Sequence, residues 1–289
     1  MSQLTETAGK TIMFYRKSTS QMRLLPDFLI IGAQKGGTTS LYNYLIEHRL
    51  IKTARRKEVH FFDRNFHKGV SWYRAFFPTT LEKYIGESIL KKPFVTGEGS
   101  PEYLFYPHCA AKARRVLPDV KIIVLLRNPV DRAYSQYRHN LGWGHEKQDI
   151  SFEDALALEE ERTKEGRERA ATEKNYHDFS YQRAAYVARG LYADQLARWM
   201  DLFPREQFLI IRTEDFYSDP GAIYKETLAF LNVPILEPAG LKKGYKVYNQ
   251  SRENTPSKME PATRKRLLEY YEPHNARLYE LVGRDFRWS

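Results

Sequence analysis

A short run rich in glycine and hydroxyl residues is the first part of the sequence with obvious chemical potential. It reads Gly32-Ala33-Gln34-Lys35-Gly36-Gly37-Thr38-Thr39. Glycines let backbone N–H groups approach a phosphate closely, and a helix that begins directly after the loop favours an anion at its N-terminus. The loop differs from that of an NTPase, because Thr38 stands where the lysine would be and the lysine comes earlier, as Lys35. The pattern therefore predicts an anion-binding loop and argues against hydrolysis of Mg-ATP or Mg-GTP.

A second anion site is predicted where the strongest strand pattern ends. Arg127 follows the apolar run Lys121–Leu126, and ligands of open α/β sheets bind at such strand ends. Ser135 lies in the helix predicted to start at Pro129 and reaches the same ligand if that helix folds back. A guanidinium presents two parallel donors to a phosphate. Two anion sites on one sheet indicate a ligand with two separated phosphates.

The elements that must position these residues alternate between strands and helices, which is typical of an α/β fold with a parallel sheet. The apolar periodicity predicts strands at about 28–31, 94–96, 121–126 and 207–212. It predicts helices at about 38–48, 129–140, 184–203, 222–232 and 261–282, and an exposed charged helix within 151–175. Residues 1–25 are predicted to be a polar, loosely held N-terminal arm without clear periodicity, and 234–258 a long loop. Residues 26–289 are predicted to form a single domain, a central parallel sheet flanked by helices.

Composition bounds the class of protein. The 289 residues are 42% hydrophobic, which is enough for one large domain. The formal charge of +10 attracts anions of any kind and does not choose among them. No run of about 18 apolar residues occurs, the first 25 residues lack the apolar region of a signal peptide, and Cys109 is the single cysteine. These features predict a cytoplasmic protein without a membrane span or an intrachain disulfide.

Taken together, the motifs resemble PAPS-dependent sulfotransferases, in particular the heparan sulfate N- and 3-O-sulfotransferases. Residues 31–39 are similar to their 5′-phosphosulfate loop, and residues 125–135 are similar to their 3′-phosphate motif. Lys57-Glu58-Val59-His60-Phe61-Phe62-Asp63 resembles the segment between the two, and residues 269–288 are similar to the C-terminus of that group. The resemblance covers residues 26–288. It implies a P-loop-like α/β domain, the donor PAPS (3′-phosphoadenosine 5′-phosphosulfate) and the product PAP.

The resemblance also implies the nucleotide ligands. They are Lys35, Gly36, Gly37, Thr38 and Thr39 for the 5′-phosphosulfate, Arg127 and Ser135 for the 3′-phosphate, and Tyr248 and Arg252 in a segment that closes over the nucleotide. Glu253 and Asn254 stand where the family has Gly and Arg in that segment. The chain also lacks the membrane anchor and loop disulfide of the eukaryotic enzymes, and has Gly99 where they carry a glycan-binding lysine. These departures indicate a bacterial cytoplasmic relative.

Sulfuryl transfer requires a base near the acceptor and a cation near the leaving oxygen, with the reacting groups in line. With the resemblance, Glu58 is predicted to be the general base, its pKa raised by apolar neighbours. His60 shares a face with Glu58 in an extended segment, and is predicted to orient the acceptor or to act as an alternative base. Lys35 is predicted to stabilise the leaving phosphate. No cluster of metal ligands is evident in the sequence, so no metal is predicted.

Two other function classes stay open at this stage. A P-loop nucleotide kinase or NTPase would require Mg²⁺ and ATP turnover, and the displaced Lys35 argues against it. A basic nucleic-acid-binding protein would fit the net charge, but the sequence contains no recognised nucleic-acid module. Among sulfotransferases, a polysaccharide, a glycolipid, a small hydroxylated metabolite and a carrier-bound intermediate are all open as acceptors, as are O- and N-sulfation and the oligomeric state.

Overall fold

A parallel sheet forms the centre of the molecule. The structure is a computed structural model that describes residues 3–173, 176–236, 244–246, 248 and 258–288. Its strands are β1 (Phe28–Gly32), β2 (Ile51–Thr53), β3 (Val95–Gly99), β4 (Lys121–Leu126) and β5 (Phe208–Arg212). They lie in the order β2-β3-β1-β4-β5, and every neighbouring pair is parallel. The predicted α/β fold class is therefore confirmed.

Helices cover both faces of this sheet. In chain order they are α1 (Gln3–Ser18), α2 (Thr38–Ile46), α3 (Gly69–Arg74), α4 (Thr80–Tyr84), α5 (Cys109–Val116), α6 (Pro129–Gly142), α7 (Phe152–Ala157), α8 (Glu159–Thr172), α9 (Phe179–Ala184), α10 (Tyr192–Met200), α11 (Thr213–Ser218), α12 (Pro220–Phe230) and α13 (Pro261–Val282). Within the described ranges, none of these helices is long and apolar enough to cross a bilayer.

The strands carry two apolar cores on their two faces. Leu29 and Ile31 pack in a core that includes residues of α5 and α10, whereas Phe28 and Ile30 pack in a core that includes residues of α2 and α12. Successive strand side chains point to opposite faces, and a parallel sheet with helices on both sides buries each of them. Full burial of one such side chain contributes about 1.5–3 kcal/mol.

The strand order places β1 between β3 and β4, with β2 beyond β3. The chain leaves β1 toward one edge of the sheet, returns to β3 beside β1, and then crosses to β4 on the other side. Such a reversal opens a crevice at the carboxyl ends of the strands. The glycine loop follows β1 and Arg127 follows β4, so both predicted anion sites lie at this crevice.

Strand β3 is longer than predicted. Residues 97–99 lie beyond the predicted end of the strand. They continue it and pair with β1, Gly97 opposite Phe28 and Glu98 opposite Leu29. A Cβ atom on Gly97 would lie 2.5 Å from the ring of Phe28. Glycine is therefore required at this position by close packing inside the sheet, not by a turn.

The prediction of one helix over 184–203 was wrong. The chain forms α9, an irregular stretch with a short turn at Ala188–Gly190, and then α10. Arg189 leaves the helical path to meet Glu102, with 2.5 Å between guanidinium nitrogen and carboxylate oxygen. A Cβ atom on Gly190 would lie 2.6 Å from the hydroxyl of Tyr271. This buried ion pair and the close approach at Gly190 override the local helical pattern.

Two predictions about polar segments also need correction. Residues 3–18 form α1, which is held in place because Met13 packs against the core and the guanidinium of Arg16 donates to the carbonyl of Phe77 over 2.8 Å. The charged stretch 151–175 contains two helices, and α8 is not exposed all round, since Glu159 is buried and accepts from the backbone N–H of Val187 over 2.7 Å. The division of the chain at residue 26 stays a prediction.

Candidate active site

A cavity of about 750 Å³ opens at the carboxyl ends of the strands. This volume lies within the range of ordinary ligand pockets. The predicted site residues that line it are Lys35, Gly37, Thr38, Thr39, Glu58, His60, Arg127, Ser135 and Tyr248. Arg252 lies outside the described residues. The structure therefore brings together predicted residues from four separate parts of the chain.

Gly36, also predicted to hold the 5′-phosphosulfate, is not among the residues that line the cavity. It lies under the loop: its carbonyl accepts from the hydroxyl of Thr213 over 2.8 Å, and a Cβ atom on it would lie 2.7 Å from the carbonyl oxygen of Leu125. The backbone N–H of Ala33 also donates to Leu125, over 2.6 Å. These contacts fix the glycine loop against the end of β4.

Helix α2 begins at Thr38, directly after Gly37, whose φ of 94° is a left-handed conformation that glycine adopts at no steric cost. Among the described residues, no side chain caps the first turn of this helix. The N–H groups of the first helical turn have no partners within the helix, so an uncapped first turn offers them to an anion.

Cations concentrate at the cavity. The pKa of the Lys35 ammonium is lowered to about 8, first by burial and then by the guanidinium groups of Arg127 and Arg138. An anion placed among these three groups would relieve their mutual repulsion. The buried Oε1 atom of Gln34, which also lines the cavity, has no hydrogen-bond partner within the described part of the chain. The donor set fits a polyanionic ligand, whereas the orphaned Gln34 oxygen is an acceptor and could bond only to an N–H or O–H group of that ligand.

Hydrogen bonds of both its side chain and its backbone hold Arg127 in place. Its Nη1 donates to the carbonyl of Lys35 over 3.3 Å, and its carbonyl accepts from the hydroxyl of Tyr192 over 2.9 Å. Asn128 then caps α6, accepting from the N–H of Val130 over 2.9 Å. Arg138 was not predicted from the sequence, although it lies three residues after Ser135 and so shares that face of α6.

Glu58, His60 and Asp63 form a linked set at the cavity wall. His60 Nδ1 lies 2.8 Å from Asp63 Oδ2, and His60 Nε2 lies 3.4 Å from Glu58 Oε2. Burial opposes the charge of His60, but the hydrogen bonds to Asp63 and Glu58 outweigh it and raise its pKa to about 9. His60 is therefore an imidazolium at neutral pH. Asp63 was part of the quoted motif but was not predicted as a site residue.

The expected raised pKa of Glu58 was wrong. Burial alone would raise it, but the hydrogen bond from His60 and the neighbouring Lys57 ammonium lower the pKa of Glu58 to about 2. Lys57 Nζ lies 2.6 Å from Glu58 Oε1. The apolar residues around Glu58 point into the core, whereas its carboxylate meets two cations and is 41% exposed.

A buried carboxylate that sequence reasoning missed holds this segment. Glu98, at the end of β3, accepts from the N–H of Val59 over 3.1 Å and from the hydroxyls of Tyr73, Tyr103 and Ser100 over 2.7–2.8 Å. The N–H of His60 in turn donates to Ser100 Oγ over 3.2 Å. The available signal was a glutamate in an otherwise small and apolar strand end. The network fixes the backbone between Glu58 and His60.

The wall beyond His60 is basic and aromatic, and it too was missed. Phe179 is 53% exposed, with the guanidinium of Arg64 5.2 Å from its ring centre and that of Arg183 5.1 Å away. Arg64 also donates to Gln182 Oε1 over 2.9 Å. All four residues line the same cavity as Lys35 and Arg127. They come from α9 and the turn after His60, which carry no recognisable motif.

The described residues contain no group of three or more histidines, cysteines or acids arranged to hold a metal ion. Three acids line the cavity, and two of them face arginines: Glu102 pairs with Arg189, and Asp131 Oδ1 lies 2.7 Å from Arg264 Nη1. The arrangement provides a carboxylate, an imidazolium and several cations around one space. Such a set can abstract a proton and stabilise a developing anion.

Comparison with known proteins gives a match to the sulfotransferase domain family over residues 25–270. Human heparan sulfate glucosamine 3-O-sulfotransferase 6 is 30% identical, over 92% of this chain and 75% of that protein. The membrane-associated sulfotransferase kil1 of Dictyostelium discoideum is 27% identical, over 92% of this chain and 67% of that protein. A crystal structure of a sulfotransferase from Alicyclobacillus acidocaldarius has 33% identity and a TM-score of 0.67, and covers 91% of this chain and 98% of its own. The resemblance seen in the motifs is confirmed.

Proposed function

Because the chain belongs to the sulfotransferase family, we propose that it transfers the sulfuryl group of PAPS to a hydroxyl or amine of a glycan acceptor. The observation that carries the proposal is the gathering of Lys35, Arg127 and Arg138 at one end of the cavity that also contains Glu58 and His60. Sulfuryl transfer by this enzyme follows from the family. The donor, the acceptor and the residue roles are proposals.

The cavity suits a nucleotide with two anionic groups. The 5′-phosphosulfate would meet the glycine loop, the start of α2 and Lys35, and the 3′-phosphate would meet Arg127 and Ser135 at the neighbouring end of β4. Tyr248 lines the same cavity, and its N–H donates to Ser40 Oγ over 3.0 Å, which ties its segment to α2. Bound PAPS supplies an activated sulfuryl group whose leaving group is a phosphate.

In the proposed reaction the sulfur–oxygen bond to the phosphate breaks, and a bond forms between the sulfur and the acceptor oxygen or nitrogen. Glu58 takes the acceptor proton, and Lys35 donates to the oxygen on which negative charge develops. His60, as an imidazolium held by Asp63, keeps the Glu58 carboxylate in position. A carboxylate with a low pKa is a weak base, so we propose that it receives the proton late, when the new bond has made the acceptor oxygen acidic.

A glycan acceptor is supported by the relatives whose names specify heparan sulfate glucosamine. It is also supported by the wall of Arg64, Phe179 and Arg183, because an aromatic face suits the apolar face of a sugar ring and flanking guanidinium groups suit its polar substituents. Gly99 ends β3 and is buried. We therefore propose that the wall beyond His60, rather than this position, contacts the acceptor.

The test is transfer of ³⁵S from labelled PAPS to a panel of glycan, lipid and phenolic acceptors. We expect label in a glycan with the wild-type chain. Glu58→Gln should bring transfer below a tenth of wild type, and calorimetry should show unchanged PAP binding. Transfer above that level would remove Glu58 as the base. Failure of every acceptor, together with Mg²⁺-dependent ATP turnover, would overturn the proposed donor and reaction.

A further inference from the structure

An exposed apolar surface lies far from the motifs of the active site, on the segment of residues 80–92 that leads into β3. It consists of Leu81, Tyr84, Ile85, Ile89 and Leu90, which we call the 80–92 face. Leu81 is 60% exposed, Ile89 61% and Leu90 56%. Large aliphatic side chains at such exposure in one short segment are unusual for a surface that meets only water.

The segment is a formed structure and not a loose loop. Helix α4 starts with a capping box, in which Thr79 Oγ1 accepts from the N–H of Glu82 and the Glu82 carboxylate accepts from the N–H of Thr79. A π turn at Ile85–Ile89 continues it. The inner side packs through Gly86, where an added Cβ atom would lie 3.2 Å from the ring of Phe94. In α4, spacing by three and four residues places Leu81, Tyr84 and Ile85 on one side.

The surface continues beyond α4. Thr80 Oγ1 donates to the carbonyl of Met22 over 3.3 Å, which places Met22, 59% exposed, beside the first turn of α4. The exposed Met22 therefore lies next to the 80–92 face and extends the apolar surface on that side. This apolar surface is exposed in the folded structure, so no segment has to unfold to expose it.

The charges around this patch are basic once the paired groups are set aside. Glu82 is engaged in the capping box, and the guanidinium groups of Arg16 and Arg23 lie near enough to lower its pKa further. Lys83 Nζ lies 3.8 Å from Glu87 Oε1 and 3.5 Å from Asp27 Oδ1, so this ammonium is shared between two carboxylates. Lys91 and Lys92 follow directly and are exposed. A patch with apolar side chains at its centre and lysines at its end is complementary to an anionic surface.

We propose that the 80–92 face docks the enzyme on the surface of an anionic lipid bilayer. Leu81, Tyr84 and Ile89 would enter the boundary between headgroups and acyl chains, while Lys91 and Lys92 would reach the anionic headgroups. Lysine stems and tyrosine rings suit this boundary, since each combines an apolar body with a polar tip. A second copy of the chain is a poorer occupant, because it would bring the same lysines and another formal charge of +10.

The position of the patch in the fold keeps the active site open. The segment leads into the amino end of β3, at Val95, whereas the cavity lies at the carboxyl ends of the strands. A docked enzyme would therefore present its cavity away from the bilayer. Docking would concentrate the enzyme at a surface without blocking a soluble acceptor.

The test is co-sedimentation of the full chain with phosphatidylcholine vesicles, with and without phosphatidylserine. Wild type should bind only the anionic vesicles. Lys91→Ala with Lys92→Ala should weaken this binding about 25-fold, at about fivefold for each lysine near the surface. Leu81→Ser with Ile89→Ser should weaken it at least about tenfold.

The matched control is Ile235→Ser, which removes an aliphatic side chain that is 55% exposed elsewhere on the surface and should bind like wild type. Circular dichroism and ³⁵S transfer to a soluble acceptor should be unchanged in every variant. The proposal is overturned if wild type stays in the supernatant, if it binds neutral vesicles equally, or if the Leu81/Ile89 variant binds like the control. It is also overturned if light scattering shows a wild-type dimer that this variant loses.

Discussion

The pair of His60 and Asp63 gives the sharpest test of the electrostatics of the site. The pKa of His60 is raised from an ordinary 6.5 to about 9 because, despite its burial, it bonds to Asp63 and Glu58. Since the native state binds the proton more tightly than the unfolded chain, the protonated pair stabilises the fold most fully below pH 6.5. That stabilisation is lost as pH rises through 9. By linkage it amounts to about 3 kcal/mol at pH 6 and about 1 kcal/mol at pH 8, and it is absent by pH 10.

The perturbation is Asp63→Asn, which removes the stronger of the two partners of His60. With burial no longer outweighed, the pKa of His60 should fall to 6.5 or below. Between pH 6 and pH 10 the wild-type free energy of unfolding should then fall by about 3 kcal/mol more than that of the variant. The comparison uses the pH dependence of the free energy of unfolding, not its value at one pH. The cost of burying the Asp63 carboxylate does not change over this pH range, so it cancels from the comparison.

The assay is urea unfolding followed by circular dichroism from pH 6 to pH 10, together with an NMR titration of the His60 ring, assigned by its loss in His60→Gln. His67→Gln serves as the control, because His67 is exposed, and its curve should parallel that of wild type. A wild-type His60 that titrates near 6.5, or parallel curves for wild type and Asp63→Asn, would refute the reasoning.

The structure also predicts the behaviour of variants at Lys35, Arg127 and Gly97. The charge of Lys35 is lost above its pKa of about 8, so kcat/KM should fall above pH 8, and Lys35→Ala should lower the rate about 10²–10³-fold in a ³⁵S transfer assay. Arg127→Ala should weaken PAP binding at least about tenfold by calorimetry, and unchanged binding would remove Arg127 from the 3′-phosphate site. Gly97→Ala should lower the free energy of unfolding by about 1–3 kcal/mol, because its Cβ atom would collide with the ring of Phe28. Gly142→Ala should not, because no atom of the described residues lies within 4 Å of the added Cβ.

The sequence predicted the parts of the site that one contiguous segment determines. The glycine loop and Arg127 each follow a strongly apolar strand, and the carboxyl ends of parallel strands meet at one edge of the sheet, so local pattern was enough to place them. The wall beyond His60 could not be predicted from local patterns, because Arg64 and Arg183 come from distant segments that meet only in the folded chain. The break at residue 189 had the same origin, because the buried partner of Arg189 is Glu102, 87 positions away.

The pKa of Glu58 was predicted in the wrong direction for a physical reason that bears on the mechanism. The apolar neighbours in the sequence suggested a desolvated carboxylate, but two cations, Lys57 and His60, outweigh desolvation. A base with a pKa of about 2 is ionised throughout the working range, so loss of Glu58 ionisation would limit the rate only in strong acid. The fall of the rate at high pH, the basic limb of the pH–rate profile, is then caused by deprotonation of Lys35. Its pKa of about 8 refers to the free enzyme. An anion bound among Lys35, Arg127 and Arg138 would raise that pKa, so the basic limb of kcat should lie at higher pH than that of kcat/KM.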